Sequence, residues 1–305
     1  MTDKRLIVIM GPTAVGKTEL AIKLAQHYNT EIISADSRQV YKELEIGTAK
    51  PSPEQLSLVK HHFVNSKSIN EECDAGTFGV EARKVLDELF VSHDEVIMCG
   101  GSGLYIKSVL EGFDDLPHVP PEVRLGIVQE YESKGLGWLQ EEVATHDPDY
   151  FGVVDRQNPQ RLMRSLEIIR STGKAFSGFH RKKKVELQCK VVKIGLDLPR
   201  KLLYERIDKR MDAMVEAGLF NEAEKIFALK QLNALQTVGY LEVFGFLERK
   251  WDKEEALRLM KRNSRRYAKR QLTWFRKDKE IRWFDPTARN EILSHVKHST
   301  TGMNE

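Results

Sequence analysis

Cysteine is scarce in this chain. Three occur in 305 residues, Cys73, Cys99 and Cys189, far apart, odd in number and without a Cys-x-x-Cys pair. That argues against a zinc centre and against a disulfide framework, and it points to a reducing cytosol. Long apolar runs are missing too. The run LIVIM after Arg5 is too short for a signal peptide, and no stretch has the length to span a bilayer, so a soluble cytoplasmic protein with no membrane partner is expected. No internal repeat or low-complexity tract is present. Net charge is small as well, +3 at neutral pH, which excludes general stickiness toward polyanions.

What charge there is lies concentrated. Arg156 to Lys184 carry nine basic side chains and one acidic one, Glu167, and Lys261 to Lys277 carry eight basic and no acidic ones. Two such clusters on a nearly neutral chain suggest a directed polyanion surface. In the second, at 100° per residue, Arg262, Arg265, Arg266, Lys269, Thr273 and Arg276 share one helical face while Ala268, Leu272 and Phe275 share another. A solvated helix face is the ordinary reading of a charge run. With no acidic residue interleaved such a face repels itself, which favours RNA as its partner. The cluster RKKK, Arg181 to Lys184, reads equally as a surface loop.

Short apolar runs recur at LIVIM (6–10), EIISA (31–35), EVIMC (95–99) and VVKIGL (191–196), separated by helical patterns. They read as strands buried on both faces, hence an α/β fold with a P-loop-type parallel sheet flanked by helices. From Pro117 a Pro-containing linker opens a stretch without strand-like runs, including PQRLMRSLEIIRSTGK, which closes on a glycine as helices often do. The expected organisation is a catalytic core of 1–116 and 189–305 with C-terminal helices, and a helical insertion domain over 117–188.

The segment Gly11, Pro12, Thr13, Ala14, Val15, Gly16, Lys17, Thr18 matches G-x-x-x-x-G-K-[ST], between a strand-like run and a helix. This is the signature of nucleotide-binding, ATP-binding loops: glycines let backbone N–H groups converge on phosphate, Lys17 bridges phosphates and Thr18 ligates Mg²⁺. A P-loop NTPase usually adds an Asp at the end of a buried strand, but EVIMC runs into Gly100, Gly101 and Ser102. The run EIISA instead leads to Asp36, on the rim where α/β sheets bind ligands. A catalytic carboxylate and a helix N-cap are equally compatible with that position. His61 and His62 are adjacent, so their side chains point apart and no metal pair is expected.

GPTAVGKT, DSRQVYKELEIGTAKP (36–51), GGSGLYIKSVLEG (100–112), NPQRLMRSLEI (158–168), RIDKRMDAMVEAGL (206–219), QTVGY (236–240) and YAKRQLTWFR (267–276) resemble, in order and over nearly the whole chain, the motifs of bacterial tRNA dimethylallyltransferases. Ser102 stands where Thr is usual and keeps the hydroxyl; Leu241 stands where a basic residue is common. The resemblance implies transfer of a dimethylallyl group from dimethylallyl diphosphate to the exocyclic amine of the adenosine 3′ to the anticodon. The loop then holds a diphosphate leaving group rather than the triphosphate of ATP. It implies Asp36 as general base, Arg210 as a cation on the leaving group with Arg206 nearby, and Thr13 beside the reacting centre. It implies RNA contacts at Asp36, Ser37, Arg38, Gln39, Ser102, Arg124, Gln160, Arg161, Leu162, Met163 and Arg164, and at Gln236, Thr237, Gly239 and Tyr240. Arg262, Arg266 and Lys269 join them from the basic face. The expected partners are the tRNA anticodon stem-loop and dimethylallyl diphosphate, with Mg²⁺ as cofactor and the enzyme acting as a monomer. The competing readings are a P-loop kinase of small molecules, a free-nucleotide prenyltransferase and an RNA-binding NTPase switch.

Overall fold

A computed structural model describes residues 4–114, 116–179 and 185–299. Residues up to Glu111 together with those from Glu186 form one compact unit, and Gly112–Val185 form a second. In chain order the first unit begins with β1 (Arg5–Met10), α1 (Lys17–Tyr28), β2 (Ile32–Ser34), α2 (Pro53–Leu58), β3 (His61–His62), α3 (Ala75–Leu89), β4 (Glu95–Gly100) and α4 (Gly103–Leu110). The second unit holds α5 (Pro121–His146), α6 (Pro148–Val153) and α7 (Pro159–Thr172). The first unit then resumes with β5 (Lys190–Leu196), α8 (Arg200–Glu216), α9 (Leu219–Lys225), α10 (Tyr240–Leu247), α11 (Lys253–Phe275), β6 (Arg282–Phe284) and α12 (Arg289–His298).

The sheet has the order β3-β2-β4-β1-β5-β6, and each adjacent pair is parallel. The continuous apolar runs follow from this arrangement, because both faces are covered. In β1, Ile7 and Ile9 face one core with α1 residues Leu20 and Leu24 and α8 residue Ile207. Leu6, Val8 and Met10 face the other core, with Phe78 and Leu86 of α3 and Ile106 of α4. Side chains alternate across a strand, so one apolar string serves two cores. The two-residue β3 carries no sequence signal of its own and is recruited by pairing with β2, Ile32 opposite His61. His61 and His62 point apart as expected: His61 Nδ1 meets Val59 O at 2.8 Å and His62 Nε2 meets Glu31 at 2.5 Å.

The second unit packs α5, α6 and α7 around Ile127, Leu139, Val143, Leu162, Met163 and Leu166. α5 bends at Gly135, whose φ of +77° only glycine adopts without strain. α7 is framed as its sequence suggests. Asn158 accepts from Arg161 N at the start, Pro159 occupies the first turn, and Gly173 closes the helix in the left-handed region. The basic cluster Arg181 to Lys184 lies outside the described residues.

The neighbouring strands β2, β4 and β1 end level with one another, Ser34 opposite Cys99 and Met10 opposite Gly100. Their outgoing loops therefore converge on one edge of the sheet. Gly100 makes this possible, since a Cβ there would lie 2.1 Å from Ala35 O.

Candidate active site

The three loops enclose a cavity of about 290 Å³ in the first unit, lined by Thr13, Gly16, Lys17, Thr18, Asp36, Gln39, Thr48, Ala49, Cys99 and Arg210, among others. Two cations meet there. The Lys17 ammonium donates to Pro12 O at 2.8 Å. Burial lowers its pKa to about 8, Cys99 and Asp36 partly offset this, and Arg210 pushes it further down. Arg210, from α8, donates through Nη2 to the Thr13 hydroxyl. Its Nε is buried without a hydrogen-bond partner, and burial lowers its pKa against an opposing pull from Asp36. Neither side chain has a carboxylate within ion-pair distance among the described residues. Desolvated cations without a counter-ion make an anion site. Arg206, one turn before Arg210, reaches Val15 O at 3.4 Å, so both arginines turn toward the phosphate loop rather than forming a solvated pair.

Asp36 caps a turn rather than a helix, and it also faces the cavity. Its Oδ1 accepts from Arg38 N at 2.9 Å and Gln39 N at 3.3 Å, which caps the turn after β2, and the carboxylate lines the cavity facing the cations. Ser37 and Ser102 join the loops after β2 and β4, with Ser37 N donating to Ser102 Oγ at 3.0 Å. Tyr267 of α11 adds a third hydroxyl beside Ser102, and burial lifts its pKa to about 12. The Gln39 amide donates to Thr48 O and Ala49 O, so it shapes the cavity wall. β4 ends in Gly100 with no carboxylate, which leaves the NTPase-switch reading without its metal-holding Asp.

Several expected RNA contacts are corrected by burial. The Tyr240 side chain is fully buried, donating to Glu222 at 2.6 Å, while Glu222 also accepts the backbone N–H groups of residues 45, 46 and 47. Tyr240 therefore braces the IGT turn of the long motif and offers no side chain to RNA. Leu162 and Met163 belong to the core of the helical unit, on a helix that also buries Ser165 to Ile169. Gln160 and Arg161 are exposed on that helix, as is Arg124 on α5. Arg124 and Arg164 both pair with the buried Glu167, at 3.2 and 3.0 Å. Gln236 is exposed, Thr237 half-buried, and Gly239 N donates to Glu242.

The basic face of α11 is less uniform than its sequence implies. Arg265 pairs with Asp208, Lys261 with Asp212 and Arg276 with Asp197, so acidic partners come from α8 and the end of β5 rather than from the helix itself. The expected self-repulsion is thereby corrected for these three. Arg266 and Lys269 remain exposed and Arg262 half-buried, with no ion pair among the described residues. Sequence reading passes over Gln271, which is 6% exposed and bonds to both Thr13 and Gly101. The available signal is an amide on the buried stripe of α11, three residues after Ala268 and four before Phe275.

The model of the IPP transferase family matches residues 39–278. The tRNA dimethylallyltransferase of Cytophaga hutchinsonii is 51% identical over 295 residues, covering 97% of each chain. The tRNA dimethylallyltransferase 1 of Bacteroides fragilis is 44% identical, covering 98% of this chain and 99% of its own. Among solved structures, the tRNA isopentenylpyrophosphate transferase of Bacillus halodurans superposes with a TM-score of 0.71 at 34% identity, covering 98% of both chains. A eukaryotic dimethylallyltransferase acting on tRNA superposes with a TM-score of 0.77 at 26% identity, covering 98% of this chain and 78% of its own. With the family model matching residues 39–278 and relatives up to 51% identical over nearly its whole length, the chain belongs to the IPP transferase family.

Proposed function

We propose that this chain transfers a dimethylallyl group from dimethylallyl diphosphate to N6 of the adenosine 3′-adjacent to the anticodon in tRNA, releasing diphosphate. The observation that carries the reading is the pair of desolvated cations, Lys17 and Arg210, facing Asp36 in one cavity. The adenine amine is a weak nucleophile because its lone pair is delocalised into the ring. As N6 bonds to the allylic carbon, the carbon–oxygen bond to diphosphate breaks and the electron pair leaves with the oxygen. Lys17, Arg210 and the loop N–H groups stabilise that growing charge. Asp36 takes the N6 proton, which requires the oxygen left outside its turn-capping bonds.

Mg²⁺ fits this arrangement. No cluster of three His, Cys, Asp or Glu side chains occurs among the described residues, but Mg²⁺ keeps several waters and takes few protein ligands beside substrate phosphates. The Thr18 hydroxyl, on the cavity wall, would hold it, and the ion would supply further charge for the leaving diphosphate.

A stacked adenine cannot reach this cavity, so the base is flipped out of the anticodon loop. In this reading the tRNA meets Ser37, Arg38 and Ser102 near the cavity, Arg262, Arg266 and Lys269 on α11, and Arg124, Gln160, Arg161 and Arg164 on the helical unit. In this reading the enzyme acts as a monomer. No helix among the described residues is long and apolar enough to cross a membrane, and with tRNA as acceptor the reaction belongs in the cytoplasm. The test is mass analysis of tRNA nucleosides after incubation with the protein and dimethylallyl diphosphate without ATP. N6-dimethylallyl adenosine is expected; strict dependence on ATP hydrolysis overturns the reading.

A further inference from the structure

The Gln271 amide spans two of the loops that build the cavity. Its Oε1 accepts from Thr13 N at 2.8 Å and its Nε2 donates to Gly101 O at 2.9 Å, and the side chain is 6% exposed. A carboxamide is the side chain of this length that accepts at one atom and donates at the other, so neither Glu nor Met reproduces both bonds. Thr13 is thereby held from two sides, its backbone by Gln271 of α11 and its hydroxyl by Arg210 of α8. The bond to Gln271 also occupies the Thr13 N–H, so this member of the loop is committed to the protein rather than to phosphate.

We infer that Gln271 is a positioning residue for the transfer step, which fixes the Thr13 hydroxyl and its Arg210 partner against the leaving group. The inference rests on the prenyl-transfer reading above. The second bond, to Gly101, ties that placement to the loop after β4, so the phosphate loop and the Ser102 side of the cavity keep one register. Loss of the amide leaves the Thr13 N–H and the Gly101 carbonyl free to rotate, and a misplacement of about 1 Å in a reacting constellation can cost on the order of a hundredfold in rate.

The experiment is a double-mutant cycle on single-turnover transfer at saturating tRNA and donor, using Gln271→Met and Thr13→Ala in the full chain. Gln271→Met is expected to slow transfer by about ten- to a hundredfold while tRNA affinity stays within about twofold. In the Thr13→Ala background the same change is expected to cost less than about threefold, because the hydroxyl it positions is already gone. A role in stability alone gives additive effects instead. Gly101→Ala reaches the amide from its other partner: a Cβ there would lie 2.4 Å from Gln271 Nε2, which displaces the flexible end of the side chain without touching its backbone. It should reproduce the slow rate of Gln271→Met, with a fall in melting temperature no larger than that of Gln271→Met. Additive losses, a wild-type rate in Gln271→Met, or no effect of Thr13→Ala alone each overturn the inference. Wild-type transfer in the same assay tests the underlying reading separately.

Discussion

Donor binding should depend on pH through a single group, Lys17. Burial brings its pKa down to about 8, so near pH 9 most of the donor-free enzyme carries a neutral amine. A bound diphosphate favours the ammonium and raises that pKa, so binding above pH 8 takes up a proton. The sign is therefore a loss of affinity as pH rises. With a free-enzyme pKa of about 8, the dissociation constant for dimethylallyl diphosphate should increase about tenfold between pH 7 and pH 9, equivalent to about 1.4 kcal/mol. Neighbouring groups leave this window clear. Burial pushes the Cys99 thiol up to about 12 and the His61 imidazole below 6.5, while the last ionisation of a phosphate monoester falls near pH 6. The assay is calorimetric titration with the donor in the absence of tRNA, at constant ionic strength and Mg²⁺. Lys17→Met should bind roughly 10- to 150-fold more weakly at pH 7, from the loss of a charge-assisted bond of about 1.5–3 kcal/mol, and its affinity should be flat from pH 7 to 9. A flat profile in the wild type, or the same slope in Lys17→Met, refutes the assignment of Lys17 as the buried phosphate ligand.

Asp36→Asn keeps the Oδ1 acceptor that caps the turn, so it should retain tRNA and donor binding while single-turnover transfer slows about a hundredfold or more; a near wild-type rate removes Asp36 from the mechanism. Tyr240→Phe deletes the hydroxyl bonded to Glu222 and should lower stability by about 1–3 kcal/mol in a thermal melt; weakened tRNA affinity at unchanged stability would return Tyr240 to the RNA surface. Replacing Arg262, Arg266 and Lys269 together with Gln should reduce the slope of log affinity against log salt by about one for each phosphate no longer neutralised, with the rate at saturating tRNA preserved. An unchanged affinity and slope makes that face merely solvated.

The strands of this fold are legible because parallel strands covered on both faces are continuous apolar runs, and LIVIM, EIISA, EVIMC and VVKIGL each mark one. The phosphate loop is legible for a local reason: its glycines, Lys17 and Thr18 act within eight consecutive residues, so spacing alone specifies their chemistry. The long motif from Asp36 to Pro51 is legible as a family mark, but its parts have separate jobs. Asp36 faces the cavity, Gln39 holds its wall, and Ile46 and Gly47 are anchored by Glu222 from about 175 positions away along the chain.

Periodicity and close neighbours in the chain suffice for the α/β class, the phosphate loop, the carboxylate at the rim of the sheet and the polarity pattern of α11. Which polar side chains meet is a matter of three dimensions. Tyr240 turns inward to Glu222, Lys261 and Arg265 find aspartates on α8, and Gln271 crosses between two loops more than 160 residues distant. Such pairings depend on which helix faces come to lie against each other, and hydrogen bonds between them leave no period in the sequence. Two arginines four residues apart on α8 look like a solvated pair in one dimension; packing that helix over the phosphate loop turns them into its cations.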